Sequence, residues 1–474
     1  MKKINALIIG AGIAGKILAK DITKNSKINY KVLGFLDDSN KKQNKKYYSI
    51  RVLGKIKDLP KITKKLKIKE VLISIPSAEG ETIKRIVDVC EKTKVNFKIL
   101  PTTYEILKSL KTKEAEFRPL RKVRIEDLLR RKPSLINLKE ILNTIRNKTI
   151  LITGAGGSIG FELTRQIIEL NPKKVLLIDN CENNLFYLIE ELKREGKNKF
   201  LPFLLDIKNK TKLEKIFVKH KPEIIFHTAA YKHVPLLEEF PDEAVINNII
   251  GSRNIIGLAN KYNCQKFVLL STDKAVNPAN VMGATKRVIE MLVQSKNKNS
   301  KTKFMSVRFG NVLGSKGSLI PLLQKQIEEG GPITITHPKM LRYFMTIPEA
   351  SQLVIQAASL GKGGEIFVLD MGKPVKILDL AKEVVELSGY NLGSDIKVKY
   401  IGIRPGEKLN EELLTKKEKL NMTKNKRIFI TKCKPINELK ILKNIKHLEN
   451  LSKENKKEEI KEFILKFVNE KQNN

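Results

Sequence analysis

The sequence predicts an α/β protein built on two consecutive Rossmann-like, doubly wound parallel sheets, the second with a smaller C-terminal substrate-binding subdomain. Three observations carry that prediction. Short apolar runs of strand length alternate with amphipathic stretches of helix length, as expected when parallel strands are joined by crossover helices. A glycine-rich turn between strand and helix occurs twice, at Gly10-x-Gly12-x-x-Gly15 and at Gly154-x-x-Gly157-x-x-Gly160. After each turn the second strand ends in aspartate, at Asp37-Asp38 and at Asp179.

The elements follow in chain order. The first sheet opens with a strand over Ile4–Ile9, its glycine turn and a helix over Lys16–Thr23. Strands over Val32–Leu36, Val71–Ile75 and Asn96–Leu100, with a helix near residues 80–92, continue it. This Rossmann-like, nucleotide-binding-like domain occupies residues 1–115, and a basic linker rich in arginine occupies 116–147. The second start is a strand over Thr149–Thr153, its glycine turn and a helix to Leu170. A strand ends at Asp179, another at Asp206 and another at His227, followed by one long helix through Asn260 and a strand over Phe267–Leu270. The catalytic domain is placed at 148–415, its substrate-binding part starting at about 309, with helices near 347–359 and 377–388. Residues 416–474 read as a Lys-rich helical tail.

Composition narrows the function. The chain has 474 residues, room for two or three domains, and its 41% hydrophobic content is that of a globular protein. Its 91 Lys and Arg against 51 Asp and Glu give a formal charge of +40. That excess is mostly lysine spread along the chain, and aromatics are only 6% with no Trp, so stacking platforms for single strands are not evident and nucleic acid is not expected as a partner. Attraction to anionic membrane surfaces is the better expectation. No apolar run approaches the ~20 residues that span a bilayer. Cys90, Cys181, Cys264 and Cys433 are scattered, so neither a disulfide framework nor a metal site is expected, and the cytoplasm is the expected compartment.

The second glycine turn carries the sharper chemistry. Gly154, Gly157 and Gly160, with Ser158 and Ile159, let bare backbone and a helix N-terminus approach a pyrophosphate. Asp179 can accept both ribose hydroxyls of NAD and would repel the extra phosphate of NADP, so NAD is the expected cofactor. Asp206, followed by Ile207, is a candidate adenine contact. The N-terminal turn fits the same fingerprint, but nothing catalytic follows it. Between Phe267 and Lys286 the layout is that of a short-chain dehydrogenase: a hydroxyl at a strand end, then a residue-x-x-x-Lys pair on the next helix. Where that superfamily has tyrosine, this chain has Met282, whose thioether cannot shuttle a proton.

These stretches identify a family. Ile152-Thr-Gly-Ala-Gly-Gly-Ser-Ile-Gly160, His227-Thr-Ala-Ala-Tyr-Lys-His-Val-Pro235, Ser271-Thr-Asp-Lys274 and Val281-Met-Gly-Ala-Thr-Lys286 come first. Val307-Arg-Phe-Gly-Asn-Val-Leu-Gly314, Thr334-Ile-Thr-His-Pro338, Arg342-Tyr-Phe-Met-Thr346 and Arg404-Pro-Gly-Glu-Lys408 follow in order. Over most of residues 1–415 the chain resembles the long, configuration-retaining UDP-N-acetylglucosamine 4,6-dehydratases of bacterial polysaccharide biosynthesis (capsule, O-antigen), extended short-chain dehydrogenases in which Met for Tyr is itself a subgroup feature. Long members carry four transmembrane helices before the first Rossmann-like domain. Here a strand begins at residue 4, so a soluble, at most peripheral, version is expected. Asn410 also departs from the pattern, standing where an aromatic residue is expected.

The resemblance implies a hydro-lyase cycle on a UDP-sugar. C4 is oxidised at the expense of NAD, the C5 proton is lost, water leaves across C5–C6, and hydride returns to C6. It assigns Lys274 as the C5 base, with a pKa depressed by Lys286 and burial, and Asp273 as the acid for the C6 hydroxyl. Thr272 would hold the C4 oxygen, and Lys286 the nicotinamide ribose. Ala229 and Ala230 would line the cofactor, and Lys232, Asn311, Arg342, Arg404 and Glu407 the sugar nucleotide. A homo-oligomer is expected. The alternatives are an epimerase or reductase on the same fold, or a non-catalytic NAD-sensing regulator.

Overall fold

In the computed structural model the described residues are 3–25, 28–100, 120–129, 137–415, 418, 420–431 and 437–473. Residues 116–119 and 130–136 of the expected linker, and Cys433, lie outside them. The chain divides into two compact units, Met1–Pro133 and Ser134–Asn474.

The first unit holds strands β1 (Ile4–Ile9), β2 (Tyr30–Leu36), β3 (Lys46–Tyr47), β4 (Ile50–Gly54), β5 (Glu70–Ile73) and β6 (Asn96–Ile99), in sheet order β3-β4-β2-β1-β5-β6. β1 lies parallel to both β2 and β5. Helices α1 (Ile13–Lys24), α2 (Leu59–Leu66) and α3 (Gly80–Lys92) provide the crossovers. Ala6, Ile8, Leu18, Ile22, Phe35 and Leu72 form its core. The glycine turn is sterically demanded: a Cβ on Gly15 would stand 1.8 Å from the Gly10 carbonyl oxygen. Asp37 clasps this turn, accepting from Ala11 N at 2.8 Å, and Lys42 Nζ lies 2.8 Å from the same carboxylate.

The second unit is organised around β7 (Thr149–Thr153), β8 (Lys174–Asp179), β9 (Phe200–Leu204), β10 (Ile224–His227), β11 (Lys266–Leu270) and β12 (Lys303–Arg308). These run β9-β8-β7-β10-β11-β12, all parallel, with the order reversing at β7. Ligands of such sheets sit outside the carboxyl ends of the strands at that switch point. Beyond β12 the sheet is extended by the parallel strand Ile366–Leu369 and then, antiparallel, by Ile428–Thr431 and Asn421–Met422. The predicted fold class is thus borne out, with an antiparallel edge as an addition.

Two elements differ from the sequence reading. The single long helix expected before Asn260 is broken into helices Val234–Glu239 and Pro241–Ala244, a π-helical stretch Val245–Gly251, and helix Ser252–Lys261. Pro241 cannot continue the preceding helix because it lacks an N–H, and the π stretch widens the turn where it faces the site. The Lys-rich segment past 437 forms helices Glu438–Lys453 and Lys457–Asn473, and they are packed elements of the second unit. Ile441, Ile445, Leu448, Ile460, Ile464 and Val468 are buried in its core beside Val288, Ile289 and Leu292.

Candidate functional site

At the switch point a cavity of about 910 Å³ opens over the carboxyl ends of the second unit's strands. Gly154, Gly157, Ser158, Ile159 and Gly160 form one wall. Gly154 adopts φ +67°, and a Cβ there would stand 2.7 Å from the Ala229 backbone. A Cβ on Gly160 would stand 2.1 Å from the Gly154 carbonyl oxygen. Only glycine permits so tight a turn, and the helix Ser158–Glu169 starts from it with Gly157 as its cap. Asp179, buried at the end of β8, accepts from Gly156 N and Cys181 N, each at 2.8 Å. It matches Asp37 in plan, but among the described residues no lysine pairs with it. This cradle of bare backbone, helix N-terminus and ribose-side carboxylate fits a dinucleotide such as NAD.

Ile207, Ala229 and Ala230 also line the cavity, whereas Asp206 does not. Its carboxylate is taken up by Lys208 N at 2.8 Å and Asn180 Nδ2 at 3.2 Å. Opposite the glycines stand Thr272, Lys274, Met282, Lys286, Lys232 and Asn311. Thr272 and Lys274 arrive on the short turn after β11, Met282 and Lys286 one helical turn apart on the helix Val281–Asn297. Thr272 Oγ1 donates to Asp273 Oδ1 at 2.7 Å, and Lys274 Nζ donates to the same oxygen at 3.0 Å and to Asn311 Oδ1 at 3.2 Å. Asp273 is only 1% exposed and lies just behind the wall. Its Oδ2 is buried without a hydrogen-bond partner among the described residues, on the side of Gly310.

The expected lysine electrostatics are reversed. Burial pulls the pKa of Lys274 down, but the carboxylates of Asp273 and Glu411 outweigh it and the value is raised. Lys286 is the depressed lysine: burial brings it to about 8, opposed by the charge of Glu290. Its Nζ donates to the Leu270 carbonyl at 3.0 Å. Behind it, His227 bridges Thr153 Oγ1 at 2.7 Å and Ser252 Oγ at 2.8 Å, and burial and Lys286 lower its pKa to about 3.

Three expected substrate contacts are not on the cavity wall. Arg342 is buried and donates to the carbonyls of Leu341, Lys408 and Leu409 at 2.7, 2.8 and 3.0 Å, and its guanidinium lies 3.4 Å from Glu407. It anchors the 407–411 segment. Glu407 also accepts from Arg404 N at 3.3 Å, and the Arg404 side chain is exposed. The structure in turn adds residues that sequence reasoning missed. Asn247 of the π stretch lines the cavity, and Asn248 holds Tyr231 by accepting from its N and donating to its O at 2.8 and 3.0 Å. Lys316 N donates to Ser158 Oγ at 3.1 Å, tying the 314–318 loop to the glycine wall. Glu411 stands 3.6 Å from Lys274. Lone Asn, Lys or Glu residues in helices and loops carry no sequence signal of such roles.

The profile of the polysaccharide biosynthesis protein family matches residues 150–464, and that of a CoA-binding domain matches residues 1–101. The chain is 47% identical over 422 residues to the capsular polysaccharide biosynthesis protein CapD of Staphylococcus aureus, covering 88% of this chain and 70% of that protein. It is 35% identical over 281 residues to a UDP-glucose 4-epimerase of Rickettsia canadensis (57% of this chain, 79% of that protein). The X-ray structure of Pen from Bacillus thuringiensis is similar at 37% identity and a TM-score of 0.57, covering 61% of this chain and 89% of that one. With a dinucleotide-type sheet, a Thr-Asp-Lys turn and a Met-x-x-x-Lys helix meeting in one cavity, the chain belongs to the polysaccharide biosynthesis protein family, on an extended short-chain dehydrogenase scaffold.

Proposed function

We propose that the chain is an NAD-dependent nucleotide-sugar 4,6-dehydratase that converts UDP-N-acetylglucosamine to the UDP-4-keto-6-deoxy sugar for bacterial polysaccharide assembly. The observation that carries this reading is the Asp273–Lys274 pair, a carboxylate and an ammonium joined at 3.0 Å, with Lys274 on the cavity wall beside Thr272. Proton removal next to loss of a hydroxyl needs one base and one acid side by side, whereas oxidation or epimerisation at C4 needs only a group that takes the C4 hydroxyl proton and no such further pair.

Gly154, Gly157, Gly160 and Asp179 would hold NAD, which when bound supplies hydride acceptance at C4 and hydride return at C6. The residues do the rest. Neutral Lys286, with a pKa of about 8, accepts the C4 hydroxyl proton that tyrosine takes elsewhere in the superfamily. Met282 is packed against Leu237 and Val281 and shapes the wall. Thr272 hydrogen-bonds the C4 oxygen. Passage of one proton along the 3.0 Å bond from Lys274 to Asp273 turns ammonium and carboxylate into amine and carboxylic acid. The amine then takes the C5 proton, and the acid protonates the departing C6 hydroxyl, which leaves as water. Lys232 and Asn311, on the wall, are the sugar-nucleotide contacts that the geometry favours.

The second reading is a 4-epimerase, supported by the similarity to the Rickettsia protein. Incubation of the purified chain with UDP-N-acetylglucosamine, followed by NMR, separates the two. A 4-keto-6-deoxy product with copurifying NAD is expected. A C4-epimer would instead establish the second reading, copurified NADP would refute the cofactor assignment, and an unchanged sugar nucleotide would refute both enzymatic readings.

A further inference from the structure

We propose that Glu411 is a positioning residue of this reaction: its buried carboxylate, 3.6 Å from Lys274 Nζ, governs whether the shared proton of the Lys274–Asp273 pair stays on the lysine. The role rests on the dehydratase reading above. Glu411 comes from outside the turn that carries the pair. The segment bearing it is pinned by Arg342, which donates to the Lys408 and Leu409 carbonyls and whose guanidinium lies 4.0 Å from Glu411. The Glu411 side chain is 4% exposed, and that of Lys274 16%.

The groups facing Lys274 can be named element by element. Its own turn supplies Asp273 at 3.0 Å and the neutral Thr272. The strand Asn311–Leu313 supplies the neutral Asn311 oxygen at 3.2 Å. The 407–411 segment supplies Glu411, and Arg342 is the cation that opposes it, itself paired with Glu407 at 3.4 Å. Lys286, on the neighbouring helix, is directed to the Leu270 carbonyl. One ammonium therefore sits between two carboxylates at low solvent exposure, where each opposite charge counts for far more than at the surface. With Glu411 charged, the proton is held on Lys274 until the sugar enters. Without it, the lysine gives up its proton more readily.

The sign of the effect follows. The working pair, amine plus carboxylic acid, has the same proton count as the resting ammonium plus carboxylate. Activity is therefore lost only when the pair sheds its remaining proton, so the alkaline limb of kcat/KM reports Lys274. Glu411→Gln should move that limb to lower pH by roughly 1 unit or more, leaving KM for UDP-N-acetylglucosamine near its original value. Glu411→Asp should restore much of the shift. A second readout needs no turnover: trace acetylation with acetic anhydride across pH, read by mass spectrometry at Lys274. In the unaltered protein Lys274 should label at higher pH than Lys286, and in Glu411→Gln at lower pH than before.

An unshifted limb and labelling profile in a folded Glu411→Gln protein would overturn the proposal, as would a rise in KM alone. If that variant does not fold, Glu411→Ala takes its place: Lys274 labelling at lower pH than in the unaltered protein supports the proposal, and an unchanged labelling profile overturns it. Absence of dehydration by the unaltered protein would instead sink the dehydratase reading, while the labelling comparison would still report on the Glu411 charge.

Discussion

Lys286 and Met282 occupy the positions from which a lysine and a tyrosine would share proton transfer, and here only one of them can carry a proton. Lys286→Ala should lower turnover by ~10²–10⁴-fold, the usual worth of a positioned acid–base group, whereas Met282→Ala should stay within a few-fold of the parent. Because the proposed mechanism uses the neutral amine, kcat/KM should rise as pH passes through about 8, the pKa that burial imposes on Lys286. A flat profile across that range, or a dead Met282→Ala, would exclude this division of labour. His227 makes a separate, purely structural prediction. Folded, its imidazole resists protonation down to about 3, whereas in the unfolded chain it titrates near its ordinary 6.5. Between those values the unfolded state binds one more proton, so stability rises with pH there and falls on acidification. Each unit below 6.5 should cost about 1.4 kcal/mol, measurable by urea unfolding, and His227→Asn should flatten that slope.

At the scale of elements, the helices Glu438–Lys453 and Lys457–Asn473 contribute a buried face to the core of the second unit. Their sequence looks like a solvated tail because Lys, Asn and Glu dominate it. Yet Ile441, Ile445, Leu448 and Leu451 recur at helical spacing and are at most 5% exposed, against the helix that carries Met282 and Lys286. Ile445→Ala should cost ~2–5 kcal/mol in chemical denaturation, with a largely exposed control such as Leu439→Ala near zero. Equal small effects at both positions would show that the helices do not cover the core.

At the scale of the whole molecule, charge and hydropathy set the relation to membranes. Among the described residues no helix is long and apolar enough to cross a bilayer. The formal charge of +40 should nevertheless draw the protein to vesicles containing anionic lipid at low salt. Cosedimentation should fall steeply as added salt shortens the Debye length below ~10 Å. Binding that survives high salt and yields only to detergent would point to an apolar anchor instead. Salt-reversible binding of this kind would make the protein a peripheral partner of anionic membrane surfaces.

The sequence by itself determined the fold class, both glycine turns, the acids that end the second strands and the lysine, threonine and methionine around the cavity. These are short-range features. A strand, a turn and a helix lie within a few tens of residues, and the steric demand on Gly154 or Gly160 leaves a readable trace in composition. Only the tertiary structure decided which lysine is depressed. Lys274 and Lys286 both lie in the motif, but the ionisation of both depends on how deeply each amine is buried, and that of Lys274 also on Asp273 and on Glu411, more than a hundred residues along the chain. The same holds for Arg342, which the motif suggests as a phosphate ligand and the packing turns towards the Lys408 and Leu409 carbonyls. Charge–charge interactions and burial are set by distances in space, and residue spacing along the chain carries no record of them until the chain has folded.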